Sequence, residues 1–139
     1  MTMKSKNIAY WTTTVLVAFF IGSGGAAQMW QYHANPHGIV PVLGYPLYFF
    51  AILGVWKVLG AIAILVPRFP RLKEWAYAGI VFDLSGAVAS IAAVGVYGAY
   101  AFHILAPLII AALAVASWYL RPPTRILGVL FPAKNSTPA

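Results

Sequence analysis

The chain has 139 residues, of which 62% are hydrophobic and only 8% are charged, and its mean hydropathy is +0.83. A typical soluble domain carries about 25% charged residues. This chain therefore lacks the polar side chains that would cover a water-soluble globule. The composition excludes a soluble enzyme and a disordered protein, and it predicts one small integral membrane domain.

The net charge of +7 comes from nine lysines and arginines against two acidic residues. Nucleic-acid-binding proteins concentrate such cations on a solvated face. Here eight of the nine flank apolar runs, which is the pattern of membrane topology signals, so we expect no nucleic-acid partner. The absence of cysteine excludes thiolate catalysis, Cys-ligated metals and disulfides.

Four apolar runs follow one another along the chain, at about residues 8–29, 45–66, 75–96 and 100–120. Each has close to the ~20 residues that a helix needs to cross a bilayer. Open strands would leave backbone polar groups unpaired in lipid, so the runs must be helices. We predict an all-α membrane protein, an antiparallel four-transmembrane-helix bundle within residues 1–125. Residues 126–139 are expected to form a short interfacial segment and a disordered tail.

The cations predict the orientation of the bundle. Both predicted loops on one side of the membrane lack lysine and arginine, and eight cations lie on the other side: Lys4, Lys6, Arg68, Arg71, Lys73, Arg121, Arg125 and Lys134. Because cytoplasmic segments are enriched in such residues, we expect both termini in the cytoplasm. As a separate expectation, the membrane is a bacterial inner membrane. A cleaved signal peptide ending near Ala26 is an alternative, although no clean A-x-A cleavage site is present.

Two charged residues lie inside the predicted helices. Lys57 lies nine residues from the end of the second run, and Asp83 lies eight residues from the start of the third. Both are therefore ~12–14 Å deep from the same side. Consecutive antiparallel helices with opposite charges at equal depth predict an ion pair. Either charge alone would cost at least about 2.5–3.5 kcal/mol in the membrane.

Small residues share a helical face with each of these charges. They are Gly54, Gly60 and Ala61 beside Lys57, and Gly79, Gly86 and Ser90 beside Asp83. Small residues allow helices to approach closely, so we expect helices 2 and 3 to pack tightly with both charges inside the bundle. Two interpretations of the pair stay open: a structural clamp, and a functional site on a proton path or at a bound ligand.

Four other side chains are candidates for lining a pocket near the pair: Gln28, Trp56, Ser90 and His103. Gln28 follows a glycine-rich stretch that indicates either close helix packing or a polar, locally unwound segment. Pro107 has no N–H, so it cannot donate the usual helical hydrogen bond to the carbonyl of His103. His103 is therefore either a ligand contact or a histidine tolerated near water.

The remaining patterns identify no catalytic chemistry. His33 and His37 have the spacing of helical metal ligands, but Pro36 lies between them and the predicted outer loops contain no acidic residue, so we expect no metal site. The sequence contains no arrangement of serine, histidine and aspartate typical of a nucleophilic site. Whether the protein is an enzyme stays open.

Several longer motifs carry a family resemblance. They are LGYP at 43–46, ILGVWKVLGA at 52–61, PRFPRLKEWAYAG at 67–79, FDL at 82–84, HIL at 103–105 and RPP at 121–123. Over about residues 40–125 the chain resembles the DoxX-like family of small four-helix membrane proteins. The lysine and aspartate of that family correspond to Lys57 and Asp83. Family members often have Ser-His late in helix 3 and Gly-Asp after it, where this chain has Ser90-Ile91 and Gly95-Val96. If the family histidine and aspartate take part in its chemistry, this chain lacks that part of the site.

The resemblance implies a redox context, because the wider DoxX group is named for a subunit of a thiosulfate:quinone oxidoreductase and some members are linked to oxidative-stress complexes. It implies an accessory subunit that contacts quinone or lipid through Lys57 and Asp83, with electrons supplied by a partner redox protein. One alternative is a non-enzymatic assembly protein whose Arg68, Arg71 and Lys73 loop docks a partner or anionic lipid. Another is a small transporter or isomerase for a lipophilic substrate, and a transporter of this size would need to be a homo-oligomer.

Overall fold

The computed structural model describes residues 2–34, 42–95, 98 and 101–127. The described chain forms four long helices and a short 3-10 turn at Pro123–Arg125, and the helices are α1 (Met3–Ala34), α2 (Leu47–Leu65), α3 (Pro70–Val94) and α4 (Ala101–Tyr119). All four are long and apolar enough to cross a membrane. The predicted all-α, four-helix membrane fold is confirmed. Residues 128–139, most of the predicted interfacial segment and tail, lie outside the described residues.

The helices form a closed ring. Helices that follow one another in sequence pack together, and α4 packs against α1. The buried core contains side chains from all four helices, among them Val17, Ile64, Ile80, Leu84 and Ala114. This core lies toward the end of the bundle where α1 begins, α2 is joined to α3, and α4 ends. We call this the termini end.

The boundaries of α3 differ from the prediction. The helix begins at Pro70 rather than near residue 75, because proline has no N–H to lose in a first helical turn and its φ suits that position. Residues 71–74 are therefore helical, although the sequence predicted a loop there. The helix ends at Val94, and the next residue, Gly95, has a φ of 75°, the left-handed conformation typical of a glycine at a helix C-terminus.

Gly54 packs against α1 rather than α3. A Cβ atom added to Gly25 would lie 2.6 Å from the Gly54 carbonyl oxygen, so the α1 and α2 backbones are in direct contact. A Cβ atom added to Gly79 or Gly86 would meet no atom within 4 Å. The expected tight packing of α2 on α3 through small residues is therefore wrong. Gly54 packs against α1 and is therefore not available to α3. Gly79 and Gly86 of α3 have open space beside them.

We expect Gly25→Ala to destabilise the bundle and Gly24→Ala to leave it intact. The Gly25 substitution forces a backbone to move and should cost about 1–3 kcal/mol, as overpacking does. Gly24 is the matched control because a Cβ atom there meets nothing within 4 Å. Thermal unfolding of the two purified variants in detergent would measure the difference. Equal melting temperatures would contradict the close α1–α2 contact.

Candidate functional site

A groove of about 500 Å³ lies between α2 and α3. It extends from Leu53 and Asp83, near the middle of their helices, to Ala63 and Leu72 at the termini end. The walls are almost entirely apolar, and Gly60 and Gly79 contribute to the space. The highly exposed rings of Trp56 and Trp75 border the groove, which therefore opens on the side of the bundle that faces lipid.

Lys57 and Asp83 lie in the wall of this groove. The Lys57 Nζ is 3.2 Å from the Asp83 Oδ2, and the two side chains are 16% and 17% exposed. The Oδ2 atom is buried and accepts no hydrogen bond from the described residues, so its contact with the ammonium is an ion contact. A lysine ammonium has three donors and a carboxylate has two acceptor oxygens. This ion pair therefore has unused hydrogen-bonding capacity beside an apolar space.

Lys73 has a very different environment. It is fully buried, and its Nζ donates hydrogen bonds of 2.9 Å to the carbonyls of Ala63 and Ile64, together with a third to the carbonyl of Val66. The carbonyls at a helix C-terminus have no partner within the helix, so Lys73 caps the end of α2. The sequence interpretation that places Lys73 in a loop is wrong, because Lys73 lies in the first turn of α3. The sequence signal for this position is Pro67 and Pro70, which bound the turn between α2 and α3. A helix that begins at Pro70 has Lys73 in its first turn.

Three other charged groups at the termini end, Glu74, Arg121 and Arg125, contact partners on neighbouring elements. Glu74 accepts hydrogen bonds of 2.6 Å from Arg121 Nη2 and 2.8 Å from the Trp118 indole N–H. The largely buried Arg121 guanidinium also lies over the Tyr77 ring, 5.4 Å from its centroid. Arg125 lies 4.5 Å from the Trp11 ring centroid. These contacts tie α4 and the segment after it to α1 and α3.

Three hydroxyl groups form a buried cluster between α1, α3 and α4. The Ser117 Oγ lies 2.6 Å from the Thr14 Oγ1 and 2.7 Å from the Tyr77 hydroxyl. Thr14 in turn donates a 2.7 Å hydrogen bond to the Tyr10 carbonyl. Each hydroxyl has a hydrogen-bond partner within the protein, so the cluster is a helix-packing contact. No motif in the sequence predicted it.

Of the four predicted pocket residues, Trp56 lines the groove beside the pair, and the other three do not. The Ser90 Oγ lies 3.1 Å from the Tyr45 hydroxyl, nearer the end opposite the termini. His103 is exposed in the first turn of α4. Gln28 is half-buried, and its Oε1 lacks a hydrogen-bond partner among the described residues. The structure thus brings together Lys57, Asp83 and Trp56 alone from the predicted set.

Other predicted positions are buried or lie outside the described residues. Ile91, where family members often have histidine, is buried and apolar. Val96, His37 and the side chain of His33 lie outside the described residues. Among the residues that are described, no three metal-ligating side chains lie close enough together to hold an ion.

The comparisons with known proteins identify a family. A family model described as the DoxX-like family matches residues 12–117. This range extends from within α1 to near the end of α4, and it includes Lys57 and Asp83. No curated protein and no solved structure matched the chain.

We expect Lys73→Met to destabilise the protein far more than Arg71→Met. The first substitution leaves buried carbonyls without a donor, which should cost on the order of 3 kcal/mol. Arg71 is exposed on the same turn, so its loss should change stability by less than about 0.5 kcal/mol. Thermal unfolding in detergent would measure both. Similar melting temperatures would show that Lys73 does not cap α2.

Proposed function

The chain belongs to the DoxX-like family, and on that premise we propose that it binds a carbonyl-bearing lipophilic ligand of the quinone class in the groove beside Lys57 and Asp83. One observation carries the proposal: an ion pair with unused hydrogen-bonding capacity lies in an otherwise apolar groove. Ligand pockets are typically apolar with a few polar groups that fix orientation. Intramembrane ionisable residues are functional candidates by default.

Each residue of the site has a distinct role in this proposal. The Lys57 ammonium donates a hydrogen bond to a ligand carbonyl, and Asp83 balances its charge and accepts a hydrogen bond from a ligand hydroxyl. The Trp56 ring offers an aromatic face for a planar head group. The apolar walls toward Leu72 accommodate a hydrocarbon tail. The protein then acts as an accessory subunit, with electrons supplied by a partner redox protein.

The contrast between the two intrahelical lysines favours a binding site over a clamp. A clamp should use its donors as fully as Lys73 does, with three hydrogen bonds to backbone carbonyls. Lys57 makes one ion contact and borders open space. The alternative function, in which the α2–α3 loop docks a partner or anionic lipid, is weakened. Only Arg68 and Arg71 of its three cations are exposed, because Lys73 is buried.

The groove is proposed to open toward the cytoplasmic leaflet of an inner membrane. It extends toward the termini end, where Lys4, Lys6, Arg68 and Arg71 are exposed. Cytoplasmic segments of membrane proteins are enriched in lysine and arginine, which supports a cytoplasmic location for this end.

Cysteine labelling would test this orientation, because the chain has no native cysteine. In intact cells, a membrane-impermeant maleimide should label Gly98→Cys, which lies in the α3–α4 connection. It should label Ser5→Cys at the start of α1 only after the cells are permeabilised. The reverse pattern would show that the termini face outward.

Ligand binding can be tested with decylubiquinone and the protein in lipid nanodiscs. We expect saturable binding by the wild type, and a loss of roughly tenfold or more in affinity for the double variant Lys57→Leu/Asp83→Leu. A hydrogen bond to a charged group contributes about 1.5–3 kcal/mol, and about 1.4 kcal/mol corresponds to a tenfold change. The double variant should still fold, because apolar replacements of both partners of a buried pair are often tolerated.

Two further variants separate a binding role from a structural one. The exchange Lys57→Asp/Asp83→Lys keeps an ion pair but reverses its direction, so the protein should fold as the wild type does and still bind decylubiquinone as weakly as the double leucine variant. Arg71→Met should bind as the wild type does. Undiminished binding by the double leucine variant, or no saturable binding by the wild type, would refute the proposal.

A further inference from the structure

We propose that Lys57 also forms an imine with lipophilic aldehydes that enter the α2–α3 groove. The inference rests on the proposed function insofar as both need the groove to admit carbonyl compounds from the bilayer. It differs from that function in its chemistry, because the ligand becomes covalently bound to the Lys57 nitrogen.

Lys57 differs from the other lysines that the structure describes. The Lys73 donors are all directed at backbone carbonyls, and this side chain is fully buried. Lys4 and Lys6 are exposed in the first turns of α1, at the termini end. Lys57 alone among these four borders an apolar groove, with its amine free of hydrogen bonds to described residues. It therefore presents a primary amine where a hydrocarbon chain can lie beside it.

The neighbouring carboxylate favours aldehydes over other lipophilic electrophiles. Condensation with an aldehyde converts an ammonium into a protonated imine, so Asp83 retains a cationic partner. Acylation would give a neutral amide and leave the Asp83 carboxylate uncompensated inside the membrane, which is strongly unfavourable. The ion pair is thus matched to a reaction that conserves positive charge on the Lys57 nitrogen.

The reaction balances with the residues present. The Lys57 ammonium passes a proton to the Asp83 carboxylate, and the free amine attacks the aldehyde carbon to form a C–N bond. The attacking nitrogen gives a proton to the carbonyl oxygen, which becomes the hydroxyl of a carbinolamine. Protonated Asp83 then returns its proton to this hydroxyl, which leaves as water while the nitrogen lone pair forms the C=N bond. Overall, one ammonium and one aldehyde give one protonated imine and one water, with Asp83 again ionised.

The walls of the groove indicate the kind of aldehyde. From the charged pair to Leu72 at the termini end the lining is apolar, with leucine, alanine and isoleucine side chains and the Trp75 ring. A long hydrocarbon tail buries apolar surface along this path, whereas a short aldehyde does not. The expected ligand class is therefore an aldehyde with a long hydrocarbon chain.

Reductive trapping tests this inference. The full-length protein in phosphatidylcholine nanodiscs is treated with limiting dodecanal and sodium cyanoborohydride, digested, and analysed by mass spectrometry. Adduct occupancy at Lys57 should exceed that at Lys4 and Lys6 on the order of tenfold, because the chain is buried in the groove. Propanal, which lacks the tail, should lose this preference. Lys57→Arg keeps a cation beside Asp83 and should abolish the adduct, while Asp83→Asn should reduce it.

The outcomes separate this inference from the proposed function. Equal dodecanal labelling of Lys57, Lys4 and Lys6 would overturn the imine site, and saturable decylubiquinone binding in the same sample would leave the proposed function standing. Preferential labelling of Lys57, with no decylubiquinone binding and no protection by it, would support the imine site and refute the quinone assignment. Protection of Lys57 by decylubiquinone would support both.

Discussion

The fold depends on how the C-terminus of α2 is closed inside an apolar environment. Pro67 cannot continue the helix, and the last carbonyls of α2 need donors from elsewhere. Val66 supplies one to Ile62, Lys73 supplies two to Ala63 and Ile64, and Arg125 approaches Leu65 at 3.4 Å. In lipid an unpaired carbonyl is costly. Because Lys73 belongs to the first turn of α3, this closure also holds α3 against the end of α2.

This closure and the glycine contact on the other side of α2 together create the groove. Gly54 of α2 contacts Gly25 of α1, so that face of α2 is unavailable to α3. α3 is joined to α2 at the termini end by Lys73, and farther along the helices Gly79 lines the open space between them. The open side therefore lies where Lys57 and Asp83 meet. The candidate site therefore exists because α2 makes its closest contact with α1 rather than with α3.

The two lysines within the helices illustrate how environment assigns a role. Both are cations in a protein with few charges, and both are at least partly withdrawn from solvent. Lys73 donates its hydrogen bonds to backbone carbonyls, so its role is structural. Lys57 has a carboxylate as partner, no hydrogen bond to described residues, and an apolar space beside it. Saturation of donors, rather than burial, distinguishes the structural lysine from the candidate functional one.

The sequence by itself determined the protein class, the number of helices, and the equal depth of Lys57 and Asp83 on adjacent helices. These follow from hydropathy, segment length and position along a helix, which are properties of local sequence. Only the tertiary structure decided the start of α3, the burial of Lys73, and the pairing of Gly54 with α1 instead of α3. It also decided that Trp56, but not Ser90, His103 or Gln28, lies in the groove. The physical reason is that a glycine or lysine can serve any neighbouring helix, and packing in three dimensions selects which one.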